Sequence, residues 1–155
     1  MLTDSAHKLW HAFLGTHPDV DNCLSPKTLQ IETDHKDGIR KLDHILKGRI
    51  KAFSIPLLAL QKKGEALPSK GSFSVVQDGK GNARAIIQTT EVRLRPLFNV
   101  TLSFIELEGA GFNTHDAWKK GVWERFAKDL APFGKVPHDS TIVVCETFNV
   151  VFIGK

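Results

Sequence analysis

The sequence predicts an α+β fold, with helices segregated from a sheet whose strands can close into a small barrel. Three observations carry this. Apolar residues recur at helical spacing over 4–14, 37–47 and 114–131. Two β-branched runs flank a glycine-bearing turn between 73 and 95. A last β-rich run extends from Thr141 to Ile153. The chain has 155 residues, one domain's worth over 1–155 and enough to bury its own core.

Residues 4–14 read as an amphipathic helix capped by Asp4 or Ser5, with Ala6, Leu9, Trp10, Phe13 and Leu14 on one stripe. The segment from Pro18 through Pro26 reads as loop. A second helix over 37–47 buries Ile39, Leu42, Ile45 and Leu46 and stops at Gly48. GRIKAFS at 48–54 alternates, Ile50, Ala52 and Ser54 against Arg49, Lys51 and Phe53, which predicts a strand ended by Pro56. LLALQKK at 57–63 is a helical turn or short helix. FSVVQ at 73–77 and ARAIIQTTEVRLR at 83–95 form a hairpin across Asp78-Gly79-Lys80-Gly81-Asn82. That turn is no phosphate loop, because no helix follows it and no Gly-Lys-Ser/Thr closes it. A helix near 101–108 ends at Gly109. The next starts after Thr114, a good N-cap, and carries Trp118, Val122, Trp123, Phe126 and Leu130 on its buried stripe. Aromatic residues at helical spacing are read as core rather than as base-stacking platforms.

Composition narrows the class. The two cysteines, Cys23 and Cys145, support no disulfide framework and lack metal-ligand spacing, so the expected compartment is cytoplasmic with both thiols reduced. No apolar run approaches the length of a membrane span, and the N-terminal residues do not form a signal peptide. His7 and His11 stand four apart without a third ligand near them, so they read as solvent-facing rather than metal-bound. The net charge is +4, which permits a nucleic-acid partner without requiring one. The basic residues are concentrated: Arg40, Lys41, Lys47, Arg49, Lys51, Lys62, Lys63 and Lys70 are opposed by only Asp43 and Glu65. Lys41 and Lys47 lie toward a helix C-terminus, where the macrodipole favours them. The others are candidates for phosphate contacts. Glu108 stands just before Gly109 and Gly111, where a broken helix can turn a carboxylate into a cleft instead of solvent.

These landmarks, in order, resemble the ASCH (activating-signal-cointegrator homology) family of longer bacterial type, most clearly over 41–153. The matching pieces are LKGR at 46–49, GSFSVVQDGKGNARAIIQTTEV at 71–92, FNVT at 98–101, FIELEG at 104–109, Trp118 and VCETFNVV at 144–151. LWHAFLGTHP at 9–18 resembles the family's opening helix. The resemblance implies a PUA-like β-barrel with flanking helices, a cleft between them, and RNA or a nucleoside-type small molecule as partner. Some members bind nucleic acid, some cut single-stranded RNA, and small ones hydrolyse the amide of N4-acetylcytidine with a Lys-x-x-Thr pair and a glutamate.

Carried over residue by residue, Glu108 matches the glutamate, and Gly48 and Arg49 match the glycine-basic pair before the lysine. The lysine position falls on Ile50 and the threonine position on Phe53, neither of which transfers a proton or attacks a carbonyl. Lys51 and Ser54 stand one residue further on, and a one-residue slip turns a strand side chain to the opposite face unless a bulge restores it. Gly71-Ser72 replaces the family's Gly-Asp, EGAGF at 108–112 replaces E-G-E-G-D, and Val122 stands where a histidine is usual.

Three functions follow. The first is an RNA- or nucleotide-binding domain using a basic cleft edged by Arg49, Lys51, Lys62 and Lys63, with Arg93 or Arg95 as further candidates. The second is a hydrolase, either a ribonuclease, with Mg2+ as its one candidate cofactor, or an amidohydrolase of N4-acylated cytidine. Its candidates are Lys51 as base or phosphate anchor, Ser54 as nucleophile or donor, and Glu108 as acid/base. The third is a non-catalytic regulatory scaffold that kept the fold and lost the ligand.

Overall fold

A computed structural model describes residues 2–21 and 24–154. Cys23, expected to be a reduced thiol, lies outside the described residues. In chain order the elements are α1 (Asp4–Thr16), β1 (Lys27–Gln30), α2 (Lys36–Leu46), β2 (Ala52–Pro56), α3 (Leu57–Lys62), β3 (Phe73–Gln77), β4 (Ala83–Pro96), α4 (Leu102–Leu107), α5 (His115–Leu130) and β5 (Ile142–Ile153), with 3-10 turns at Leu97–Asn99 and Ala131–Phe133. The architecture is α+β. The five strands are hydrogen-bonded in the order β1-β3-β4-β5-β2. The pairing of β1 with β3 is parallel, and those of β3 with β4 and β2 with β5 are antiparallel.

Tertiary contacts divide the chain into two compact units. The first holds Met1–Arg49, Lys70–Thr89 and Phe148–Lys155. Its core gathers Ala6, Trp10 and Phe13 of α1 with Phe73 and Val75 of β3 and Ala83 and Ile86 of β4. Leu9 and Leu14 pack against this cluster half-buried rather than inside it. Thr3, not Asp4 or Ser5, caps α1, its side chain accepting the Ala6 N–H at 3.1 Å. Ser5 instead accepts the Ala83 N–H at 2.8 Å. β1 follows the expected loop of Pro18 through Pro26, in a stretch to which the sequence assigns no element. It is four residues long, mostly exposed, and defined by its parallel pairing with β3 rather than by any alternation of its own. On α2, Leu42 and Ile45 are buried as expected, but Ile39 is 55% exposed and Gly38 takes the buried place.

The second unit holds Ile50–Ser69 and Thr90–Thr147. Its core joins Ala52 of β2, Leu97 and Val100, Phe104 and Ile105 of α4, Trp118, Val122 and Phe126 of α5, and Val143 and Cys145 of β5. The α5 stripe is as the spacing predicts, except that Trp123 is only partly buried at its edge. The strand expected over 48–54 begins at Ala52 and runs to Pro56. Gly48, with φ of 72°, occupies a left-handed conformation that ends α2 and is readily adopted only by glycine.

Candidate functional site

Within the second unit, β2 runs against β5 in an unbroken register, Ala52 opposite Thr147, Ser54 opposite Cys145 and Pro56 opposite Val143. Strand side chains alternate between faces. Ala52, Ser54 and Pro56 are buried, while Phe53 and Ile55 are half-buried. Ser54 is thus a hydroxyl on an otherwise apolar buried face, and such a group must find partners.

Those partners come from two helices. Thr101 caps α4 by accepting the Phe104 N–H at 3.3 Å. The helix ends after six residues, with Glu108 as its C-cap. Gly109 and Gly111 follow at φ of 75° and 80°, so the chain turns sharply and leaves the Glu108 side chain inside. Thr114 caps α5 by accepting the Ala117 N–H at 3.1 Å. That sets the phase of α5 so that Trp118 and, two turns later, Arg125 share one face.

The four side chains form one network. Ser54 Oγ donates to Glu108 Oε2 at 2.8 Å. Trp118 Nε1 donates to Glu108 Oε1 at 2.7 Å. Arg125 donates twice to Ser54, to the carbonyl oxygen at 2.5 Å and to Oγ at 2.9 Å. Its guanidinium lies 3.7 Å from Glu108 Oε2. The Glu108 side chain is 11% exposed and that of Arg125 46%. A carboxylate held this deep is stable only with such partners, since burying an unpaired charge costs several kcal/mol. Chemically, the arrangement is a hydroxyl with a base on its proton, a donor orienting the base, and a cation on the hydroxyl oxygen.

The field of Glu108 reaches Cys145. Burial first, and the Glu108 charge second, push the Cys145 thiol up to about 12, against a smaller opposing effect of Arg95. Cys145 therefore stays protonated at any ordinary pH, and a protonated thiol is a poor nucleophile. In a Cys23→Ser variant, 5,5′-dithiobis(2-nitrobenzoate) at pH 8 should release no colour from native protein and one equivalent from protein in denaturant. Prompt reaction of the native thiol would contradict this burial.

Ser54 and Glu108 meet directly. The expected obstacle, a need for a bulge in β2, does not arise, because the register from Ala52 to Pro56 is regular and plain alternation turns Ser54 inward. Phe53, at the family's threonine position, has the opposite parity. Lys51 stands three residues before Ser54, and its backbone N–H donates to the Leu107 carbonyl oxygen at 2.8 Å, beside Glu108. Lys51 itself is exposed. Lys62 and Lys63 are exposed at the C-terminal end of α3. Burial raises the pKa of Asp129, against smaller opposing effects of Arg125 and then Lys63. Arg49 is exposed in the first unit, its N–H bonded to the His44 carbonyl oxygen at 2.8 Å. Two members of the network escape sequence reasoning. Trp118 reads as core, and it is fully buried, but its indole N–H makes it also a donor to the carboxylate. Arg125 carries no motif, and its one signal is the seven-residue interval after Trp118. Among the described residues, no group of three or more His, Cys, Asp or Glu side chains is placed to hold a metal ion. His7 and His11 are exposed, their rings stacked 6.4 Å apart. No described helix is long and apolar enough to cross a membrane.

The family model described as ASCH domain matches residues 29–152. Among solved structures, a protein from Enterococcus faecalis superposes with a TM-score of 0.81 at 28% identity, over 96% of this chain and 89% of the other. The structure of an ASCH domain from Lactobacillus crispatus also gives a TM-score of 0.81, at 20% identity over 97% of this chain and 96% of the other, a likeness of fold. Among curated proteins, none matches the sequence.

Proposed function

Because the chain belongs to the ASCH domain family, whose fold is PUA-like and which is generally associated with RNA binding, we propose that it binds single-stranded RNA or a nucleotide on the second unit, around Glu108. The observation that supports this reading is the contrast between the held Glu108 carboxylate and the cations around it. Arg125 touches the carboxylate directly, and Lys51, exposed, is joined through its backbone N–H to the Leu107 carbonyl oxygen next in sequence to Glu108. Lys62 and Lys63 are exposed on the same unit. Lysine and arginine bind phosphates without regard to sequence, whereas a carboxylate, an acceptor only, selects ligand groups that donate. An exocyclic amino group of a base is such a donor.

Phosphate contacts make affinity fall with salt, with a log–log slope of about −0.7 per phosphate for single strands. Fluorescence anisotropy with a short labelled single-stranded RNA should therefore show binding at low salt that weakens steeply as sodium chloride is raised. Absence of binding at low salt would remove this reading.

One observation favours a second reading, hydrolysis at the same place. A hydroxyl donating to a carboxylate at 2.8 Å is the arrangement that activates a nucleophile. Here Ser54 would attack and Glu108 would take its proton, with Lys51 three residues before Ser54 as base or phosphate anchor. In a ribonuclease the RNA 2′-hydroxyl would attack instead, with Mg2+ as a candidate cofactor, and Glu108 would serve as its base. Incubation with labelled RNA and with N4-acetylcytidine, each with and without magnesium, separates these chemistries from binding alone.

A further inference from the structure

We propose that Arg125 is a catalytic residue of an acyl-transfer site, the cation that lowers the barrier for Ser54 to attack a carbonyl and holds the oxygen anion that results. This rests on the hydrolytic reading of the Glu108 site. Three facts carry it. First, Arg125 donates to Ser54 Oγ at 2.9 Å while Ser54 Oγ donates to Glu108 Oε2 at 2.8 Å. The same oxygen thus has a base on its proton and a guanidinium on a lone pair, leaving one lone pair for a carbon electrophile. Second, Arg125 is fixed by its bond to the Ser54 carbonyl oxygen. An arginine has five N–H donors, so after these two bonds three remain for a ligand. Third, Ser54 is 4% exposed, the Glu108 side chain 11% and that of Arg125 46%. An incoming group therefore meets the guanidinium first. Because a guanidinium only donates, the group it receives is an acceptor oxygen, and beside a hydroxyl nucleophile the carbonyl oxygen of an ester or amide supplies one.

The chemistry balances without an added reactant other than water. Ser54 Oγ bonds to the carbonyl carbon as its proton passes to Glu108, and the carbonyl electron pair moves onto the oxygen held by Arg125. The pair returns, the bond to the leaving alcohol or amine breaks, and Glu108 gives that group its proton. Water then adds to the acyl carbon, losing a proton to Glu108. Ser54 leaves with the electron pair and takes the proton back. Trp118, bonded to the other carboxylate oxygen at 2.7 Å, is a positioning residue that keeps Oε2 aimed at the hydroxyl.

The test uses p-nitrophenyl acetate as probe and reads the acetylated tryptic peptide by mass spectrometry. Wild type should acquire acetyl on Ser54, and Ser54→Ala should not. Arg125→Ala should acylate roughly 100-fold more slowly, the scale of removing one oxyanion donor. Added guanidinium at millimolar concentration should restore part of that rate, as should Arg125→Lys, with thermal melts reporting the fold of each variant. Restoration by free guanidinium is a response that a merely structural arginine would not give. Acylation of Ser54 at the wild-type rate in folded Arg125→Ala would overturn the role of Arg125 while leaving the hydrolytic reading standing. Lack of acetyl on Ser54 in wild type would overturn both the role of Arg125 and the attack by Ser54 on which it rests.

Discussion

Gly38→Ala should cost this protein about 3 kcal/mol of stability, near the upper end of what an overpacked site exacts. A Cβ placed on Gly38 would lie 1.6 Å from the Glu32 carbonyl oxygen and 2.8 Å from the Glu32 carbonyl carbon, both backbone atoms. Neither can rotate away as a side chain does. The segment holding Glu32 is tied on one side, where the Ile31 N–H donates to the Gln77 carbonyl oxygen at 2.8 Å. Gly38 is tied on the other, its N–H donating to His35 Nδ1 at 3.1 Å. Relief requires α2 to move off the segment it packs on. For a chain of this length, each kcal/mol corresponds to about 2–4 °C in Tm, so the melt should fall by roughly 10 °C. Gly15→Ala is the control. Nothing lies within 4 Å of its Cβ position, and alanine is the better helix former by about 1 kcal/mol. That variant should melt at or above wild type. Equal melting of the two variants would mean that α2 does not approach Glu32 so closely.

The second large effect is expected from Trp118→Phe. The ring is fully buried, and its replacement removes the N–H that meets Glu108 Oε1 at 2.7 Å. A buried charged acceptor left without its donor costs about 3 kcal/mol, more than the net worth of the bond itself. The asymmetry supplies the test. Glu108→Leu removes the acceptor itself, so in urea denaturation the double variant should lose less than the sum of the two single variants. Losses that simply add would show that the two side chains do not interact.

How far these features can be read from sequence differs by element. Helices with three or more turns and an apolar stripe are legible, since Trp10 and Phe13 on α1 and Trp118, Val122 and Phe126 on α5 repeat at the helical period. The hairpin of β3 and β4 is legible from its turn. β1 is not, because a four-residue parallel edge strand is fixed by its partner and leaves no alternation of its own. Ile39 misleads because an apolar residue can lie at the margin of a stripe, and the close approach of Glu32 gives the buried place to glycine. In the site, Glu108 is legible from the glycines that follow it, whereas Ser54, one residue past the family position, reads as facing away unless a bulge intervenes. Matching to the family pattern alone puts the threonine position on Phe53, whereas the side-chain parity of β2 turns Ser54 to the carboxylate. Arg125 is invisible for a physical reason. A lone arginine on an exposed helix face is ordinary, and only the tertiary placement of α5 beside β2 joins it to Ser54.

The proposal that Glu108 reads the ligand while Lys51, Lys62 and Lys63 hold phosphates is tested most directly by a salt titration of RNA affinity for three proteins. Lys51→Ala combined with Lys62→Ala and Lys63→Ala should flatten the log–log slope by about 0.7 for each phosphate left without its cation. Glu108→Gln should weaken binding at least 10-fold and leave the slope as in wild type, because reading a base releases no counterion. If Glu108 were only a structural carboxylate, deleting its negative charge would leave RNA affinity unchanged or tighten it, and that result would contradict the account.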